Sequence, residues 1–318
     1  MNAEIPINEQ GVVYHIKSKP EYISNKIILV GDPDRVNFVS HFFDSNSLEW
    51  KYENREIKTI TGKYKGERVT VLSTGMGTDN IEIIINELHI LKEYNFKTSR
   101  WNNNFNPKDV ILIRVGTCGS PQKIPVGSLA ITKFAIGLDN TCRYYTNIST
   151  NNSMKDFMEI SELREIVNQT PLGELGAYAS KADSIITEIL IKKADICAPN
   201  RLKQVGITAS ASGFFACQGR AIGRFEQRMR FPNLINILAN VKFTNEENNL
   251  KVTNYIINLE METSALCFLS SLLGYKAGSI CAVVSNRSGD RKCFLPPNEI
   301  EATVQDAVLI ALETVISS

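Results

Sequence analysis

Apolar positions fall into short continuous runs that alternate with stretches of helical spacing. Lys26 to Val30 and Val110 to Ile113 read as strands buried on both faces, as do Leu129 to Ile136, Val205 to Ser212 and Ala277 to Val284. Between them, apolar residues recur every three or four positions. Examples are Val36, Val39, Phe42 and Phe43, then Ile81, Ile84, Ile85, Leu88 and Leu91 on one stripe. Asp79 with Glu82 suggests a capping box at the start of the second helix, and His89 falls off its stripe, toward solvent. Further helices are expected over Glu159 to Asn168, Ser184 to Cys197, Asn258 to Leu273 and 298–316. Trp50 to Leu72 alternates like a β-meander, with Asn54-Arg55-Glu56 opening a strand and Tyr64-Lys65-Gly66-Glu67 making a hairpin turn. The Asn-rich stretches Phe96 to Lys108 and 240–254 read as surface insertions, the second as a variable loop. Strands alternating with helices, without a repeat or a dividing linker, give an α/β class: one domain over residues 1–318 with a mixed, partly barrel-like central sheet.

Composition narrows the partners. A net charge of +1 implies no broad affinity for nucleic acid or anionic membranes. No apolar run is long enough to span a bilayer, and the N-terminus lacks the pattern of a signal peptide. Seven cysteines without a Cys-x-x-Cys pair, and three histidines, read as reduced thiols of a cytoplasmic protein rather than a metal site.

Chemistry concentrates where strands run out. Asp109 to Gly119 carries Arg114 at the end of a buried strand, before a Gly116-Thr117-Cys118-Gly119 loop. A buried guanidinium needs a counter-charge, and an anionic ligand or a structural carboxylate would serve equally. Gly31-Asp32-Pro33-Asp34-Arg35 joins a strand to a helix start, where backbone N–H groups and Arg35 could cradle an anion. The same Arg35 could simply pair with Asp32 or Asp34. Phe214 and Phe215, near Gln218 and Arg220, could sandwich a planar ring and read its edge, or could be two core aromatics. Glu260 and Glu262 could complement a helix dipole or bind hydroxyls.

Each junction alone is weak, but their order is informative. Gly31-Asp-Pro-Asp-Arg-Val36, Ser73-Thr-Gly-Met-Gly77, Arg114-Val-Gly-Thr-Cys-Gly119, Gln218-x-Arg220 and Asn258-Leu-Glu-Met-Glu-Thr263 resemble, in that sequence, the nucleoside phosphorylase superfamily, and most closely its uridine phosphorylases. The resemblance runs from about His15 to the C-terminal helix. It implies that Gly31, Arg35, Arg114 and Thr117 hold phosphate, with Arg55 reaching the site of a neighbouring subunit and His15 the ribose 5′-hydroxyl there. Glu262 would bind the ribose 2′- and 3′-hydroxyls, beside Met261 and Glu260. Phe214 would stack on the base, Gln218 and Arg220 would read it, and Val284 and Arg287 would line its pocket. Inorganic phosphate would be a co-substrate and no cofactor is implied, although Glu56 and Ser73 match positions that in some relatives hold a monovalent cation such as K+. The assembly implied is a homodimer at least, or a hexamer built as a trimer of dimers.

The residue types suit phosphorolysis of uridine. Three arginines can position phosphate, and a Gln–Arg pair matches the acceptor–donor–acceptor edge of uracil. Asn286 stands where purine-cleaving members carry an acidic Asp. Another nucleoside specificity on the same scaffold, such as thymidine, deoxyuridine or a purine nucleoside, and a non-catalytic nucleoside-binding relative are the alternatives. Cys217 before Gln218, and Gly219-Arg220-Ala221 after it, depart from the family pattern and point to a looser base pocket.

Overall fold

The computed structural model describes residues 4–145, 153–247, 249–288 and 293–318. Its strands are β1 (Lys26–Val30), β2 (Trp50–Asn54), β3 (Ile57–Tyr64), β4 (Glu67–Ser73), β5 (Tyr94–Asn95), β6 (Arg100–Trp101) and β7 (Ile111–Ser120), followed by β8 (Leu129–Leu138), β9 (Tyr178–Lys181), β10 (Lys203–Ala211), β11 (Lys242–Glu247), β12 (Leu250–Glu260), β13 (Lys276–Asn286) and β14 (Cys293–Phe294). The helices are α1 (Pro33–Ser40), α2 (Thr78–Glu93), α3 (Met154–Asn168), α4 (Ser184–Cys197), α5 (Leu234–Asn240), α6 (Thr263–Leu273) and α7 (Pro297–Ser317).

One mixed sheet of 12 strands organises the molecule, in the order β11-β12-β10-β8-β13-β7-β1-β4-β3-β2, with β9 on β8 and β14 on β13. The pairing Leu259↔Gly119 joins β12 back to β7. Strands β12, β10, β8, β13 and β7 thus close into a barrel, while β1 to β4 extend from it as an open sheet. The central strands are buried along most of their length because both faces are covered. On β7, Ile111, Ile113 and Val115 join a core with α1, α4 and α7, while Leu112 joins one with α2 and α6. A third core lies under α3 and α5.

The β-meander is present, but Asn54 closes β2 and Arg55-Glu56 forms its turn, with Arg55 in the left-handed region at φ 55°. The Gly116-to-Gly119 stretch is not a loop: β7 continues to Ser120, since β13 pairs along it as far as Asn286. Asp79 does not cap α2. Gly77 holds the cap position, and an Asp79 carboxylate oxygen instead accepts from the Thr141 hydroxyl at 2.7 Å. His89 is half-buried, stacked on Trp101 with centroids 4.5 Å apart and 3.1 Å from Glu93. The 96–108 stretch contributes β6, and Phe96 and Phe105 pack on the core under α2. The 240–254 stretch is largely the β11–β12 hairpin rather than a loop, except that Asn248 lies outside the described residues. Asn258, Leu259 and Glu260 end β12, so α6 begins only at Thr263.

Candidate active site

A cleft of about 620 Å³ opens where the parallel strands β1, β7 and β13 end. Open α/β sheets generally bind ligands at this edge. Its wall includes Gly31 and Arg35, then Arg114 and Thr117, then Glu260, Met261 and Glu262, and finally Phe214, Gln218, Arg220 and Val284.

Arg114 is the best-held charge in the cleft. Its side chain runs forward along β7 over Gly116, where a Cβ would overlap the guanidinium. Nη2 donates to Glu262, and Nη1 lies 3.1 Å from Glu260 Oε2. Burial works against its charge, but Glu262 and Glu260 more than offset this and raise its pKa. The counter-charge is therefore structural in this state, while the guanidinium still faces the cleft. Arg35 does not pair with Asp32 or Asp34 in a direct contact; its Nη1 donates to Val115 O at 3.3 Å across the strand ends. Burial and the neighbouring Arg114 both lower its pKa. Two guanidiniums converging on one partly dry cleft favour an anion between them.

The two acids divide their work. Glu260 accepts from the N–H groups of Glu262 and Thr263, at 3.0 Å each, and from the Thr263 hydroxyl at 2.9 Å. It also accepts from Ser210 at the end of β10. That makes it the fixed cap of α6. Glu262 is less committed: one oxygen meets Arg114, and the other accepts from Gly77 N at 2.7 Å. The donor comes from the Gly75-Met76-Gly77 loop, where both glycines have positive φ, and a Cβ at Gly75 would come within 2.6 Å of Asn80 Nδ2. Burial raises the Glu262 pKa even though Arg114 pulls it down.

At the far end, Phe214 is partly exposed, and the Arg220 guanidinium lies 3.9 Å from its ring centroid. Arg220 Nη1 donates to Phe214 O at 2.7 Å and to Gln218 Oε1 at 2.8 Å. Gln218 is buried, so this contact sets which way its amide faces. Burial, with Arg287 nearby, lowers the Arg220 pKa to about 10, leaving it charged near neutrality. Arg287 is not on the cleft wall. It stands behind it and donates to Gln218 O at 3.0 Å, bracing the loop.

Two expected residues lie elsewhere. His15 Nδ1 contacts Glu87 at 2.8 Å, beside a separate surface hollow, and Arg55 is exposed, 5.9 Å from the Tyr14 ring. Glu56 does reach the cleft rim. Ser73 is fully buried, and its hydroxyl donates to Glu56 O and accepts from Lys58 N, at 2.7 Å each. Among the described residues, no group of three or more His, Cys, Asp or Glu could hold a metal ion. Sequence reasoning missed Met76, Leu259 and Phe294 on the wall, and Ser210 behind Glu260. Only their neighbours in space mark them out.

Fold and cleft together define a mixed-sheet α/β protein whose cleft carries two arginines, Arg35 and Arg114, the carboxylate of Glu262, and Phe214 beside Gln218 and Arg220. The chain belongs to the phosphorylase superfamily, whose family model matches residues 25–317. It is similar, at 31% identity over 99% of this chain and 90% of the relative, to a uridine phosphorylase of Thermococcus kodakarensis. A DeoD-type purine nucleoside phosphorylase of Alkaliphilus metalliredigens is 39% identical, but over only 34% of this chain and 40% of that one. Among solved structures, a Trypanosoma brucei nucleoside phosphorylase described as showing uridine phosphorylase activity superposes with a TM-score of 0.91. It is 39% identical, over 99% of this chain and all of that one.

Proposed function

We propose that this protein is a pentosyltransferase that cleaves uridine with inorganic phosphate, giving uracil and ribose 1-phosphate. The observation that carries the reading is one cleft wall with three kinds of group in the order the reaction needs. Arg35, Arg114 and Thr117 hold phosphate at one end. Glu262, with Met261 beside it, binds the ribose 2′- and 3′-hydroxyls. Phe214, Gln218, Arg220 and Val284 receive the base. Full-length similarity to a protein named uridine phosphorylase supports it.

Phosphate attacks C1′ from the face opposite the base while the C1′–N1 bond breaks, and the bonding electrons leave with uracil. The arginines orient the nucleophile and spread its charge in a cleft that excludes much of the water. No covalent protein nucleophile is required. The Gln218 oxygen is turned toward Arg220; in the proposed complex Nε2 would donate to uracil O2, Oε1 would accept from N3–H, and Arg220 would donate to O4. Cytosine would set an amino donor against Arg220, a mismatch such a site rejects strongly. The purine alternative is weakened by Asn286. Its Nδ2 is bound to Ile124 O at 2.7 Å and its Oδ1 to Ser288, so it is committed to the loop and cannot act as an acid.

Two subunits belong to the same proposal. His15 and Arg55 lie off this chain's own cleft and would complete the cleft of a second copy, with Glu56 as the rim oxygen available to a monovalent cation there. Phosphate serves as co-substrate and no organic cofactor enters the reaction. Incubation with uridine, thymidine, inosine and adenosine, each with and without phosphate, tests the proposal. Uracil release only with phosphate is expected. Purine release, or release without phosphate, would overturn the specificity or the mechanism, and no release at all would favour a binding protein. Arg114→Ala should lower turnover by about a hundredfold or more, and unchanged phosphorolysis would remove Arg114 from the site.

A further inference from the structure

Beneath the cleft lies a pair of thiols that the reaction does not use. Cys118 of β7 and Cys281 of β13 belong to a small cluster with Ile124, Ala130, Ile257 and Val283, to which the barrel strands β7, β8, β12 and β13 contribute. Cys281 is fully buried and pairs in register with Gly116. Because Gly116 has no side chain, the Arg114 guanidinium lies over it and reaches the neighbouring strand, where Nη1 donates to Cys281 Sγ at 3.1 Å.

The remaining contacts of Arg114 show why that bond matters. Nη2 is tied to Glu262, the carboxylate that the ribose hydroxyls would also engage, so substrate would compete for this tie. Glu260 shares Nη1 but already caps α6 through two backbone N–H groups and two hydroxyls. Among the described residues, the sulfur is the one hydrogen-bond partner of Arg114 that belongs neither to the proposed ribose site nor to the helix cap. We propose that Cys281 is a positioning residue for Arg114: its sulfur holds Nη1 against the barrel wall so that the rest of the guanidinium stays aimed at phosphate when Glu262 turns to the sugar. Cys118 lies beside Cys281 in the same cluster, and its Sγ donates to Ala282 O at 3.6 Å, next to Cys281 on β13. Cys118 itself touches the cleft wall, as Arg114 does. Alanine in place of Cys281 would keep the strand but delete the acceptor, serine would keep an acceptor, and valine would keep apolar volume without one.

This inference rests on the phosphate role given to Arg114 above. Its test titrates inorganic phosphate into the full-length protein by calorimetry, for wild type, Cys281→Ala, Cys281→Val and Cys281→Ser, and follows uridine phosphorolysis in parallel. The Ala and Val variants should bind phosphate about tenfold more weakly, the scale of one hydrogen bond to a charged group, with a matching rise in KM for phosphate. KM for uridine should change less than about twofold. The Ser variant should recover most of the phosphate affinity. If the Ala variant fails to fold, the Val variant carries the same expectation. Wild-type phosphate affinity in either, or a Ser variant as weak as Val, would overturn the proposal, since packing alone would then explain the cysteine. A wild-type protein that binds phosphate but releases no uracil would instead overturn the reaction proposed, and leave the calorimetric comparison valid.

Discussion

Glu262 is where a single carboxyl has to serve opposite demands. Burial raises its pKa above the ordinary carboxylate range, and Arg114 only partly reverses this. The folded state therefore favours the protonated form more than the unfolded chain does. Its contribution to stability is present below the unfolded pKa and is lost as pH rises through the folded one. In the proposed reaction activity would run the other way, because only the carboxylate would accept from both ribose hydroxyls. The acid limb of kcat/KM for uridine should thus lie above about pH 4.3, the ordinary glutamate value. Glu262→Gln should remove that limb and cut kcat/KM by about a hundredfold; a limb that persists would assign it to another group. Lys92 shows the reverse sign. Burial, aided by Arg68, lowers its pKa to about 7, while Nζ donates to Ile23 O at 2.6 Å. The stability this confers is present above the unfolded lysine pKa and is lost as pH falls toward 7. Denaturant midpoints between pH 7 and 10 should rise with pH in the wild type and flatten in Lys92→Met.

At the scale of elements, the site depends on where strands stop and what crosses them. β7 does not end at Arg114 but carries on through Gly116 to Ser120, so the arginine lies along a strand rather than in a loop. Gly116→Ala would put a methyl group into the guanidinium while leaving the strand pairing intact. Phosphate-dependent turnover should fall about tenfold or more, since small misplacements of a positioning group are expensive in rate. The thermal midpoint should drop by only a few degrees, on the order of 1 kcal/mol in a protein of this size. A stable variant with full turnover would mean that Arg114 is free to relocate. α6 illustrates the same coupling. Glu260 at the end of β12 caps it, and the cap fixes Glu262 within reach of both Arg114 and Gly77.

The whole molecule adds the question of the second copy. His15 is held by Glu87 through its Nδ1 and backbone N–H, and neither it nor Arg55 meets the cleft of its own chain. If they complete a partner's cleft, two inactive variants should rescue one another. Arg55→Ala mixed with Arg114→Ala, then unfolded and refolded together, should regain up to about a quarter of wild-type activity, because half of the dimers would carry one intact cleft of two. No recovery, with dimers present by sedimentation, would place Arg55 outside the reaction. No helix among the described residues is long and apolar enough to cross a membrane.

The sequence by itself determined the alternation of buried strands and amphipathic helices, because periodicity is a local property of the chain. It also located the strand-to-glycine junctions, and their order was enough to carry the family. Arg35, Arg114, Glu262, Phe214, Gln218 and Arg220 were legible because each belongs to one of the ordered motifs, and the fold brings those motifs to one cleft. Contacts between residues far apart in the chain were not legible. Periodicity could not tell that Asn258 to Glu260 end a strand, that 240–254 pairs as a hairpin, or that Gly116 to Gly119 continue one. An Asp79 side chain bonds to Thr141 instead of capping its own helix because the partner arrives 62 residues later. Only the tertiary structure decided that Glu260 caps while Glu262 remains available, that Arg287 braces Gln218 from behind, and that a sulfur from β13 meets the guanidinium of β7. Each of these depends on which strands lie side by side, and strand order follows from packing the whole sheet rather than from any one stretch of sequence.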